Sequence, residues 1–170
     1  QIDSEKGLYS FLKAELYYGA NKYQEAFTSY GLAVSEIPSR DTKLLEQNTN
    51  GLIASLSQLT QNKNDLFYTN MYKILSDQKN ANQVFQKSYL PVVDFLIENK
   101  KDDQAMALTQ NYSLIYGASD SLVRAMSGHF QKNKLFNSQE SLMRSIKENK
   151  ITISADLKEK LLQMADSMEL

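Results

Sequence analysis

Any chemistry in this 170-residue chain would have to run on very few groups, because it holds one histidine, His129, and no cysteine. A zinc cluster with nitrogen ligands or a Ser/His/Asp arrangement would have to recruit that one imidazole. His129 falls in the middle of an expected helix and reads as a packed or half-exposed helix residue. A thiol nucleophile and Cys-based metal sites are ruled out by composition. Asp102 and Asp103 form a carboxylate pair in sequence, but adjacent helix residues diverge by about 100°. Their position at a helix start suits them to its dipole instead. Asp3 and Glu5 fall at an end expected to fray. No glycine-rich phosphate loop of the GxGxxG or GxxxxGKS/T type occurs. No catalytic, cofactor-binding or metal-ligating residue is assigned, and no cofactor is expected.

What remains for recognition is aromatic. The chain has 10 tyrosines, a residue favoured at interfaces because it buries area with little entropy loss. Tyr9, Tyr18, Tyr68, Tyr72, Tyr89 and Tyr116 divide between groove lining and ordinary helix packing. The formal net charge is -1 and no basic cluster stands out, so direct nucleic-acid binding is not expected. Lys158, Glu159 and Lys160 read as a solvated face. No apolar run approaches the roughly 20 residues of a membrane span.

The elements that must position these residues are helical. Hydrophobic residues make up 42% of the chain, enough for a core, while 2 Pro and 6 Gly are too few for an all-β fold. In the first helix, Leu8, Phe11, Leu12, Leu16 and Tyr17 recur at helical spacing. A second helix carries Tyr23, Ala26, Phe27, Tyr30, Ala33 and Val34 on one stripe, with Pro38 beyond its end. Polar turns at 19–22, 61–64, 78–82, 99–103 and 132–134 separate further helices. Ser39, Asp41 and Thr42 offer caps for the third helix, and Asp65 for the fourth. Pro91 interrupts a fifth pattern that includes Val84 and Phe85, predicting a kink there or a start near Leu90. Gly117 is placed as a C-cap and Ser119 or Asp120 as the following N-cap. Ile151-Thr152-Ile153 reads as an extended linker before a last helix capped by Ser154. The expectation is an all-α domain over 1–170, frayed over 1–6, with about eight or nine helices in antiparallel hairpins and a capping helix over 154–170.

One hairpin carries a more specific code. Ala14, Tyr17, Tyr23, Ala26, Tyr30, Ala33 and Pro38 alternate small and aromatic residues across two helices and a turn. Close helix approach needs a small side chain facing a large one, and Tyr30 can fill the gap to the next pair. In this order and spacing the stretch resembles a tetratricopeptide repeat over about residues 7–38. Later hairpins match less well: Ala105 takes the small role in one, and it falls near Ser138 in another. The segment 52–75 has the hairpin shape without the code.

The resemblance implies an α-solenoid with a right-handed superhelix, and a non-catalytic scaffold or adaptor that binds a protein or peptide. In that family the first helix of each pair lines the concave groove, which here nominates Phe11, Glu15 and Tyr18, then Leu90, Asp94 and Ile97, then Asp120, Arg124 and Ser127. Of these, Phe11, Glu15, Tyr18, Asp94 and Arg124 are taken as the partner-binding set. Phe11 and Glu15 stand where family members that grip a C-terminal carboxylate have Lys and Asn. The implied groove is mixed apolar and acidic and suits a peptide with apolar anchors and a basic group. A chain that starts at Gln1 is expected to have lost a leader or to belong to something larger. That leaves a bacterial adaptor, exported or at the envelope, beside the peptide-sensing part of a cytosolic transcription regulator. An all-helical enzyme using carboxylate-bound metal is the remaining class.

The packing code makes one prediction on its own. Ala26→Leu should overpack the hairpin by about 1–3 kcal/mol and lower the melting temperature. An unchanged melting curve would count against the assigned contact.

Overall fold

The structure is a computed structural model that describes residues 2–77, 80 and 82–167, with side chains from residue 5 onward. Parts of the expected 78–82 turn, the Asp3 side chain and the last three residues of the expected 154–170 cap lie outside the described residues. The described residues are all helix and connection, without a strand. Nine α-helices follow one another among them: α1 Ile2–Gly19, α2 Tyr23–Glu36, α3 Thr42–Leu59, α4 Asp65–Ser76, α5 Tyr89–Glu98, α6 Asp102–Tyr116, α7 Asp120–Lys132, α8 Phe136–Lys147 and α9 Ala155–Ser167. They fall into two compact units, 1–85 and 86–170.

The turns explain why the helices stop where they do. A helix end leaves its last carbonyls without partners, and a residue in the left-handed conformation lets the chain fold back onto them. Asn21, Gln61, Lys100, Lys134 and Asn149 take that role, with φ between 54° and 61°. In each case the next residue's N–H reaches back five residues: Lys22 to Tyr17, Asn62 to Ser57, Lys101 to Leu96, Leu135 to Phe130 and Lys150 to Ser145, all at 2.8–2.9 Å. In three hairpins the second helix then starts two residues after the left-handed one. Its fourth residue donates the first helical hydrogen bond: Ala26 to Lys22, Ala105 to Lys101 and Gln139 to Leu135.

This register corrects the sequence reading of the fourth hairpin. The position equivalent to Ala26 and Ala105 is Gln139, which is buried, not Ser138. Ser138 is half-buried and donates to Asp102 Oδ2 at 2.7 Å. Lys100 and Lys134 stand one regular repeat of about 34 residues apart, whereas the intervals from Asn21 to Gln61 and from Gln61 to Lys100 are wider.

Caps also differ in detail. Asn64, not Asp65, caps α4, accepting from Phe67 N at 3.2 Å. Asp41 is the N-cap of α3 without a side-chain cap bond. Gly117 closes α6 at φ 91°, as its sequence position suggested. The Pro91 region resolves into a 3-10 turn, Gln83–Ser88, before α5. Pro91 is then the third residue of α5, inside the first turn, where its missing N–H breaks no helical bond.

In unit 1, α1 enters by its small face. Gly7, Ser10 and Ala14 are buried, and Ser10 Oγ donates to Glu36 Oε2 at 2.9 Å. A Cβ built on Gly7 would stand 2.8 Å from Ile37 N and 2.9 Å from Glu36 C. The apolar residues at helical spacing on α1 therefore do not all lie inside. Leu8, Leu12 and Leu16 are exposed, Leu16 at 77%, because the backbone of α2 comes too near for leucine. On α2, Ala26, Ser29, Tyr30, Ala33 and Val34 are buried. Ala33, Ile37 and Leu45 form a cluster with Phe11, Leu44 and Val84 packed against it.

In unit 2, α5 contributes Val92, Val93, Phe95, Leu96 and Ile97 to the core. Tyr89, Tyr112 and Tyr116 pack ring on ring, with centroids 4.9–5.7 Å apart. The segment 151–154 is a strut. Ser119 N and Oγ both donate to the Thr152 carbonyl, at 2.8 and 3.0 Å, and Thr152 N donates to Ser113 Oγ. Ser154 donates through N and Oγ to the two Asp120 carboxylate oxygens and caps α9 by accepting from Leu157 N. Burial pushes the Asp120 carboxyl up, but the Ser154 bonds and the Arg124 charge outweigh it and hold it below the usual range. Residues 151–153 form a connection without helix or strand before α9, and the Ser154 cap stands.

Two glycines, one crowded and one open, give a paired test. Gly7→Ala should lose about 1–3 kcal/mol against the α2 backbone, more than the roughly 1 kcal/mol that alanine gains in helix propensity. Gly31→Ala, on an open face of α2 with nothing within 4 Å, should gain about 0.5–1 kcal/mol. Thermal or urea denaturation should move in opposite directions for the two variants.

Candidate functional site

Unit 1 carries an open groove of about 530 Å³ between α1 and α3, floored by α2. One wall is the α1 face bearing Phe11, Glu15 and Tyr18, at i, i+4 and i+7. The opposite wall is Gln47, Asn50, Gly51 and Ala54 of α3, and Tyr30 of α2 lies between them. The three α1 residues nominated from the sequence thus share one cavity.

Tyr30 organises the groove. It is 1% exposed, with its ring against the backbone of α3 at Gly51. A Cβ on Gly51 would stand 2.4 Å from two of the ring carbons. Its hydroxyl donates to Glu15 Oε1 at 2.7 Å, and its ring centroid is 6.2 Å from that of Phe11. Asn48, fully buried on α3, donates through Nδ2 to the Tyr30 carbonyl at 2.9 Å and ties α2 to α3. Burial first, then the hydrogen bond to Glu15, pushes the Tyr30 phenol well above its ordinary value. It therefore keeps its proton and remains a donor. Tyr18 stands edge-on to Tyr23, centroids 5.3 Å apart, which orients its ring at the groove's end.

Electrostatically the lining is one carboxylate among neutral groups, with no Lys or Arg. Glu15 takes part in neither ion pair found among the described residues, Arg144–Glu140 and Lys150–Glu148. The groove can hold a ligand by ring contact, by amide hydrogen bonds and by one negative charge.

The remaining nominated residues belong to unit 2. Asp94 is half-buried on α5, where burial and then the neighbouring Glu98 charge push its carboxyl up. Arg124 is exposed on α7, near Asp120. Ile97 and Ser127 are buried and present nothing to a groove; Ser127 Oγ accepts from Gln131 and Gln139 instead. His129 is half-buried beside Asn133 and Phe130. Among the described residues no group of His, Asp and Glu could hold a metal ion. No helix there is long and apolar enough to cross a membrane.

Sequence reasoning missed the α3 wall. Its signal was present: Gln47, Asn50, Gly51 and Ala54 fall at i, i+3, i+4 and i+7, on one face, with a glycine inside a helix. Comparison with protein-family models, with curated proteins and with solved structures finds no match for the chain.

The Tyr30–Gly51 contact predicts a change of sign. Gly51→Ala alone should lower stability by about 1–3 kcal/mol through overpacking. In a Tyr30→Ala background the clash is gone, and the same change should add about 1 kcal/mol of helix propensity. A double-mutant cycle in urea reads the coupling, and additive effects would refute the contact.

Proposed function

We propose that this protein is a non-catalytic scaffold that binds a peptide or a peptide segment of another protein in the groove between α1 and α3. Its hairpins are read as tetratricopeptide-like, stacking as an α-solenoid. One observation carries the proposal: Phe11, Glu15 and Tyr18 line a single open groove with the polar, uncharged face of α3. A groove of this size with rings, amides and one charge has the makeup of a small recognition site, mostly apolar with a few placed polar groups. The rings supply rigid contact area, and Gln47 and Asn50 can pair with the amides of an extended main chain. The hairpin code supports the repeat reading: Ala14, Ala26 and Ala33 are fully buried at the crossing, and Tyr30 meets the next helix. Tyr17, Tyr23 and Pro38 are half-buried around it.

The test is a fluorescence-polarisation screen of a fluorescent peptide library against the wild-type chain and against Phe11→Ala/Glu15→Ala/Tyr18→Ala. Peptides selected by the wild type should lose at least roughly tenfold in affinity, about 1.4 kcal/mol. Phe11 also packs on the core cluster, so Glu15→Ala/Tyr18→Ala is run beside it, with circular dichroism to show that both fold. Equal binding by folded variants removes the groove as the site.

A further inference from the structure

We propose that the α1–α3 groove contains a subsite for a guanidinium group, the side chain of an arginine in the bound peptide. The inference rests on the groove being a peptide site and names what that site selects. Among the described residues of the lining, Glu15 alone is charged. Its Oε1 is engaged by the Tyr30 hydroxyl, a neutral donor that fixes the carboxylate without cancelling its charge. Among the described residues the other carboxylate oxygen, Oε2, has no hydrogen-bond partner, and Glu15 is an exposed residue of the groove wall.

The surroundings of that oxygen decide the ligand class. An anionic ligand would meet Glu15 with no Lys or Arg in the lining to offset the repulsion. A wholly apolar ligand would cover the carboxylate and strip its water without replacing it. A cation relieves both costs, and the rings of Phe11 and Tyr18 in the lining can add their negative faces to the attraction. A guanidinium suits this lining of rings and amides better than an ammonium. It is planar and stacks on rings, and it sheds its water more readily. Its five N–H donors call for several acceptors, and the lining residues Glu15, Gln47, Asn50 and Tyr18 each carry one. In this arrangement Tyr30 and Gly51 are positioning residues. The glycine lets the ring lie on α3, and the ring's hydroxyl sets the carboxylate.

The probe is acetyl-arginine methylamide, titrated into isotope-labelled full chain and followed by amide NMR shifts. Its controls are the acetyl methylamides of citrulline, the same shape without charge, and of leucine. The arginine probe should give saturable shifts at Glu15, Gly51 and Ala54, with the citrulline and leucine probes at least roughly tenfold weaker. Glu15→Gln, which keeps an acceptor for Tyr30, should weaken the arginine probe roughly tenfold and leave the citrulline probe unchanged. Salt should weaken the arginine probe alone, a readout that needs no variant. Equal binding of arginine and citrulline, indifference to Glu15→Gln, shifts confined to other surfaces, or no saturable shift would each overturn the subsite. If library peptides still bind the groove without preference for arginine, the groove stands and only the guanidinium assignment falls. If no peptide binds there, both fall.

Discussion

Tyr30 lying on the bare backbone of Gly51 is the contact from which unit 1 takes its form. A side chain of that volume can be fully buried between α2 and α3 only if α3 offers a position with no Cβ. The same placement brings its hydroxyl within 2.7 Å of Glu15. One residue thus spaces α2 from α3, floors the groove and orients the groove's charge. The α1–α2 crossing obeys the same rule in reverse, with small residues on both sides. Gly7, Ser10 and Ala14 meet a face that includes Ala26 and Ala33. Interiors pack at crystal-like density, so where two backbones approach this closely, leucine has no room on either.

The helices are ended more by backbone geometry than by side-chain caps. Five turns place Asn, Gln or Lys in the left-handed region and recover a carbonyl five residues back. Asparagine is tolerated there more easily than most residues; lysine is held there by the closure itself. Most second helices then begin without a side-chain cap, Asn64 being an exception. Unit 2 adds a different device, the strut 151–154. Asp120, at the start of α7, satisfies the N–H and hydroxyl of Ser154, and Ser154 in turn starts α9. A charged acceptor near a helix N-terminus is favourable on its own; here it also fixes where the last helix leaves.

Much of this was legible from local pattern. The turns at 19–22, 61–64, 99–103 and 132–134 are polar runs between apolar periodicities, and the structure turns there. Gly117 and Ser154 were readable because their roles depend on neighbours within four residues. Phe11, Glu15 and Tyr18 were legible as a set because helical spacing alone puts them on one face. Less readable were matters of register and depth. Ser138 and Gln139 exchange roles through a single-residue offset that only the closure at Lys134 defines. Ile97 and Ser127 share a face with Asp94 and Arg124 in sequence, yet they are buried among neighbours from other helices.

The sequence by itself therefore determined that the chain is helical, where most helices break, and which small and aromatic residues make the first hairpin, because each follows from the helical period and from residues a few positions apart. Only the tertiary structure decided which face of α1 is inside. Leu8, Leu12 and Leu16 have the stronger hydrophobic claim, but burial depends on the distance to the partner, and α2 lies too close for them. It also decided that Glu15 faces a neutral α3 wall and not a basic one. No local rule could supply that, since the carboxylate's neighbours across the groove come from more than 30 residues away along the chain.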